Sequence, residues 1–281
     1  MSAVVAHESE EEVLPAWSLP AEAAERIGVP ATLPEQITRD WACGDSTGAG
    51  VRVCILDSGI ETDHPLVGRV ERSVAVVRGE DGELQVVDDD EGDLCGHGTA
   101  CAGIVRALAP DVELTSIRVL GAGYTGGGEV LLRGLAWAIE QGFQVVNMSL
   151  STTRTKYVER LYELADRAYF RRAVLVASAH NMPVESFPWR FASVISVGSH
   201  EEADPLTFYY NPSPPVEFFG RGLDLDVAWL GGGSLRCTGN SFATPHVAAV
   251  CALILAKHPR LTPFQLKSVL YQTATNARGA T

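Results

Sequence analysis

The chain has 281 residues, 46% hydrophobic and 20% charged, which is enough apolar content for a sizeable core and too much for a disordered chain. Its 35 acidic residues outweigh 22 basic ones, and a net charge of −13 repels phosphate backbones and anionic lipid, so nucleic acid is not an expected partner. No stretch reaches the roughly 18 to 20 apolar residues of a spanning helix, and no membrane partner is expected.

In chain order, residues 1–45 read as a polar N-terminal extension and lead-in, punctuated by Pro15, Pro20, Pro30 and Pro34. The first residues lack the basic and apolar regions of a secretory signal. The six cysteines contain no C-x-x-C pair, and Cys54, Cys101 and Cys251 fall in apolar segments. Buried thiols in a reducing compartment are expected, hence a cytoplasmic location. Residues 46–281 then read as one domain.

The run 51–56 predicts a strand ending at Asp57-Ser58-Gly59. The acidic run Asp88–Asp93 offers oxygen ligands without EF-hand spacing, so a solvated loop is expected. Gly96-His97-Gly98-Thr99 opens a small-residue helix. Cys95 and Cys101 stand near His97, but a third metal ligand is not indicated, and core thiols rather than a metal site are expected. A strand over 112–120 leads into Gly121-Ala122-Gly123-Tyr124-Thr125-Gly126-Gly127-Gly128. This spells G-x-G-x-x-G, yet the acid that completes a dinucleotide fingerprint is missing about 20 residues on, and no cofactor is expected.

A strand over 143–148 precedes Ser149, Leu150 and Ser151; the sequon Asn147-Met148-Ser149 lies in that buried strand and carries no meaning. A helix over 155–171 places Tyr157, Leu161, Leu164, Ala165 and Ala168 on one stripe. Strands over 173–177 and 193–198 flank Ser178-Ala179-His180-Asn181. A helix over 241–256, apolar nearly all round, should be central, with Pro245 in its first turn. A last helix starts with Thr262 as cap and Pro263 behind it, and presents Phe264, Leu266, Val269 and Leu270. Short continuous apolar strands alternating with helices predict an α/β domain, a doubly wound, mostly parallel sheet with helices on both faces.

Ser241, in Gly239-Asn240-Ser241-Phe242-Ala243-Thr244-Pro245-His246, stands where a glycine turn runs into the central helix, at the positive end of its dipole. A serine nucleophile needs a base and an orienting acid, and His97 and Asp57 are candidates for both.

Together, D-S-G after a strand, G-H-G-T entering a helix and G-N-S-F-A-T-P-H entering another resemble the subtilisin-like serine proteases, the subtilases, over about residues 45–275. The resemblance implies catalytic Asp57, His97 and Ser241, in the chain order Asp, His, Ser. It implies an oxyanion donor at Asn181 and a substrate cleft edged by Gly121, Gly126, Gly127 and Gly128 on one side and by Ser149, Leu150 and Ser151 on the other. The partner it implies is a peptide or protein substrate; no metal and no oligomeric state follow from it. The connection 102–110 is too short for the calcium loop of many secreted members, so calcium is not carried over. The 56 residues before Asp57 are too few for a folded pro-domain, and Thr281 comes before the family's closing segment. The expected function is a selective intracellular processing endopeptidase, with a transpeptidase or a silent peptide-binding module as alternatives. His180 and Ser151 replace glycines of the family and should make the primary pocket narrow and polar. Val13–Trp17 resembles an inhibitory extension. In relatives the positions of Cys95 and Cys237 flank the cleft; two unrelated free thiols are expected, with a disulfide that bridges the cleft on oxidation as the alternative, and exposed thiols beside an imidazolium would be the more reactive.

Overall fold

A computed structural model describes residues 18–20, 23, 25–28 and 32–277. The segment Val13–Trp17 lies outside the described residues. Every element below belongs to the compact unit Leu33–Thr281. The strands are β1 (Arg52–Asp57), β2 (Arg72–Arg78), β3 (Leu84–Asp88), β4 (Glu113–Arg118), β5 (Val145–Met148), β6 (Val174–Ser178), β7 (Ile195–His200), β8 (Tyr209–Tyr210), β9 (Phe218–Arg221), β10 (Leu225–Trp229) and β11 (Gly233–Cys237). The helices are α1 (Arg39–Ala42), α2 (His97–Leu108), α3 (Gly128–Gln141), α4 (Val158–Phe170), α5 (Asn240–Lys257) and α6 (Pro263–Thr273).

Among the described residues, nine strands form one sheet in the order β3-β2-β4-β1-β5-β6-β7-β9-β8. Its interior pairs are parallel, and only β3 and β8, at the two edges, run antiparallel to their neighbours. The expected doubly wound sheet is therefore present. Cys54 and Leu56 of β1 join one cluster with Leu131 and Leu135 of α3 and Leu161 and Ala165 of α4. Val53 and Ile55, equally buried, point to the opposite face by the two-residue period of a strand, and α2 and α5 cover that side. This two-sided burial is why the strands read as unbroken apolar runs.

Helix α5 is buried continuously from Phe242 to Leu255 and packs on α2 and on β5, β6, β7 and β9. Pro245 lies inside this helix and not in its first turn, because the helix begins at Asn240. Helix α6 is closed by a capping box: Gln265 N–H donates to Thr262 Oγ1 at 3.2 Å, and Thr262 N–H to Gln265 Oε1 at 3.0 Å. Phe264, at the second helical position, is 65% exposed, while Leu266, Val269 and Leu270 are buried.

His246 is buried in α5, where Nδ1 donates to the Phe242 carbonyl at 2.9 Å. Burial pushes its pKa down to about 4, outweighing the bond to Phe242. The unfolded chain binds this proton near pH 6.5, so the native state is favoured above that pH and loses ground as pH falls from 6.5 toward 4. The expected loss is about 3 kcal/mol over that window. His246→Asn, which can keep a donor to Phe242 but does not titrate, should flatten this part of a stability-versus-pH curve; an unchanged slope in denaturant melts would reject the assignment.

Candidate active site

In the order β4-β1-β5 the chain winds to one side of β1 and then to the other. The carboxyl end of such a strand opens a crevice where loops diverge, the usual place for a site in a parallel sheet. Asp57 is the last residue of β1 and is fully buried. His97 is the first residue of α2, and its Nδ1 lies 2.8 Å from Asp57 Oδ1. The Ser58 backbone N–H donates to the same oxygen at 2.8 Å, fixing the carboxylate plane. The imidazole is held between the Phe242 ring, with centroids 5.3 Å apart, and the edge of Tyr124, at 5.7 Å. Burial pulls the His97 pKa down, but the charge and hydrogen bond of Asp57, with the charge of Asp93 behind them, prevail and leave it above the ordinary value.

Ser241 stands in the first turn of α5, half-buried. Pro245 lacks an N–H, so the Ser241 carbonyl loses the helical partner four residues ahead. Ser149 fills that vacancy: its hydroxyl donates to the Ser241 carbonyl at 2.7 Å and in turn accepts from the buried Asn147 amide at 3.1 Å. Cys101 Sγ lies 3.7 Å from the same carbonyl and 4.0 Å from Asp57 Oδ2. Asp57, His97 and Cys101 offer ligand atoms within 4.8 Å of one another. Burial and the nearby Asp57 charge, however, push the Cys101 thiol well up, so it stays a protonated donor and not a metal thiolate.

Asn181 follows β6. Its Oδ1 accepts the Asn240 backbone N–H at 3.0 Å, which orients the amide and leaves Nδ2 as the free donor. A side chain at Gly239 would have its Cβ 3.3 Å from Ser241 Oγ and 3.4 Å from Asn181 Nδ2. The serine oxygen and the amide nitrogen thus border one small space that glycine keeps open. Asn240, not singled out in the sequence, ties the loops together: Nδ2 donates to the carbonyls of Ala179 (3.3 Å) and His180 (3.4 Å), and Oδ1 accepts from Ser199 Oγ (2.8 Å).

His97, Asn181 and Ser241 line a cleft of about 580 Å³. Gly126, Gly127, Gly128, Ser149, Leu150, Ser151 and His180 line it too, while Asp57 is buried against His97. Gly121 does not line it; its N–H turns inward to the Thr125 carbonyl at 2.8 Å and closes the glycine loop. A Cβ at Gly128 would lie 2.0 Å from the ring of Tyr157, the residue that caps α4, so this packing accounts for the glycine without any phosphate. In the acidic run Asp88, Asp90 and Glu91 are solvated as expected, but two acids are not. The Asp89 side chain is buried against Arg118, which donates to both its oxygens at 2.8 and 2.9 Å, and Asp93 bonds the segment that carries His97. Cys95 and Cys237 are free and half-buried, and burial pushes both thiols up, which makes them less reactive and not more.

Residues 48–281 match the model of the subtilase family. Subtilisin DY of Bacillus licheniformis is 32% identical over 244 residues, covering 82% of this chain and 85% of that protein. Alkaline elastase YaB of Bacillus sp. (strain YaB) is 30% identical over 246 residues, covering 84% of this chain; the match spans 62% of the elastase's own length. A crystal structure of a cold adapted subtilisin-like serine proteinase superposes with a TM-score of 0.67 at 28% identity, covering 84% of this chain and 88% of that one.

Proposed function

The chain belongs to the subtilase family of serine endopeptidases, and we propose that Asp57, His97 and Ser241 are its catalytic triad and Asn181 its oxyanion donor. The observation that carries the assignment is the 2.8 Å contact of buried Asp57 with His97, which lines a cleft together with Ser241 and the oriented Asn181 amide. Ser241 Oγ attacks the scissile carbonyl as His97 Nε2 takes its proton. Asp57 keeps the other ring proton on Nδ1 and stabilises the imidazolium. Asn181 Nδ2 and the Ser241 N–H receive the developing oxyanion. His97 then protonates the leaving amine, and a water, deprotonated by the same histidine, releases the acyl group. A fluorophosphonate probe should label the native protein at Ser241; a folded protein that stays unlabelled would shift the reading to a peptide-binding module.

The substrate is a peptide or protein. Ser151 Oγ bonds Ser186 Oγ at 3.0 Å, and Trp189 Nε1 donates to Ser186 at 2.8 Å, so a polar, side-chain-filled wall replaces what two glycines would leave open. His180 Nδ1 lies 3.0 Å from the Met182 N–H and 3.3 Å from the Met182 carbonyl; the shorter contact favours the tautomer in which Nδ1 accepts and Nε2 carries the proton. Small or acidic residues should therefore precede the cleaved bond. Cleavage of a peptide library mainly after Phe or Tyr would reject this specificity. All six cysteines are free thiols, in keeping with selective processing inside the cell.

A further inference from the structure

Helix α2 has an unusual start. Its cap is Gly96, in the left-handed region at φ 87° and with no side chain to offer the first-turn N–H groups. Two residues outside the helix take that role. Ser58 Oγ accepts the Gly98 N–H at 3.0 Å. Asp93 accepts five hydrogen bonds. Its Oδ1 receives the N–H groups of Cys95 (3.0 Å) and Gly96 (2.9 Å) and the Ser58 hydroxyl (2.8 Å). Its Oδ2 receives the Thr99 N–H (2.8 Å) and the Thr99 hydroxyl (2.6 Å). Four of these donors belong to the segment that carries His97, and the fifth is the side chain next to Asp57.

We propose that Asp93 is a positioning residue for the reaction, clasping the loop and first turn that present His97 onto the end of the strand that presents Asp57. This rests on His97 being the general base. The backbones are in contact where the clasp closes: a Cβ at Gly98 would lie 2.0 Å from the Gly59 carbonyl oxygen, and one at Gly59 would lie 2.1 Å from that of Gly92. A clasp between surfaces so close leaves the His97 segment little room to shift against Asp57. Such precision matters, because a displacement of about 1 Å can cost about 10²-fold in rate. The bonds to Asp93 are charge-assisted, the class strong enough to hold a helix start that lacks its own cap.

Asp93 acts on His97 in a second way, through its field. The groups facing the imidazole are the Asp57 carboxylate from β1, the Tyr124 ring edge from the glycine loop and the Phe242 ring from α5, with the Cys101 thiol beside Asp57. Asp93 adds a second negative charge on the same side, one that favours the imidazolium. The acid limb of kcat/KM should therefore move when the charge is removed and stay put when only a hydrogen bond is lost.

The test is Asp93→Asn in the full chain, with active sites counted by fluorophosphonate titration. Expected are a fall in kcat per titrated site of about 10- to 100-fold, KM within about threefold, and an acid limb displaced to lower pH. A residue that served folding alone would lower the melting temperature and the titrated fraction, leaving kcat per site and the acid limb as in wild type; that result overturns the proposal. If Asp93→Asn does not fold, Thr99→Val keeps the charge and removes one donor of the clasp, together with the acceptor of the Glu61 N–H. It should lower kcat several-fold with the acid limb unmoved, and wild-type kcat in that variant likewise overturns the proposal. Failure of wild type to react with the probe would instead count against the triad assignment itself.

Discussion

Ser241→Ala is expected to lower kcat about 10⁶-fold while leaving KM and the melting temperature nearly unchanged. The magnitude is the one established on subtilisin, a relative, and it follows from the triad acting as a unit. With the nucleophile gone, His97 has no proton to take, and the Asp57–His97 pair contributes nothing further. His97→Ala should cost about as much, and the double variant hardly more than either single one. A residue of about 10³ to 10⁴ over the uncatalysed rate should survive, supplied by substrate binding and by the oxyanion donors. Stability should hold because Ser241 is half-buried and only its carbonyl, common to both variants, is bonded to Ser149. Steady-state kinetics on one peptide substrate checks all of this. A Ser241→Ala enzyme within tenfold of wild type would remove Ser241 from the mechanism.

The parts of this protein legible in its sequence are those whose signal is local. Val53–Leu56 declares a parallel strand because helices bury both its faces, and no polar residue can alternate in. Thr262-Pro263 declares a helix start because cap and first turn are adjacent in the chain. The segments around Asp57, His97 and Ser241 were each short enough to resemble a family before any contact was known. Illegible were the features made by distant partners. The exposed strand β11, Gly233–Cys237, carries little apolar signal and exists by pairing with β10. Asp93 was hidden in a run of acids, and its partner Ser58 lies 35 residues away. Asp89 was hidden by the same run, its charge answered by Arg118 across the sheet edge. The polar support beneath Ser241 was also out of reach, although one clue was present. A proline four residues after a candidate nucleophile implies an unpaired carbonyl that some side chain must satisfy, and that logic leads to Ser149.

Asn181 should show the second large effect, and two variants separate its two contacts. Asn181→Ala removes both the amide donor and the acceptor for the Asn240 N–H. Asn181→Asp keeps an oxygen for Asn240 but replaces the donor facing Ser241 by a second carboxylate oxygen. If the residue serves catalysis by donating to the oxyanion, both variants lose about 10² to 10³ in kcat, with KM changed only a few-fold. That range corresponds to about 2.7 to 4 kcal/mol of transition-state stabilisation, again a magnitude established on a subtilisin. The loss falls on kcat because the bond strengthens only as the carbonyl oxygen acquires charge; a ground-state carbonyl gains little from it. Asn181→Asp should be the slower of the two, since a carboxylate opposes the developing negative charge that the alanine merely fails to meet. If instead the residue matters only as a brace for Asn240, the aspartate restores the brace, and its kcat returns to within a few-fold of wild type while the alanine remains impaired. That ordering would remove Asn181 from the oxyanion site and leave the Ser241 N–H and the positive end of α5 as the groups that must carry the charge.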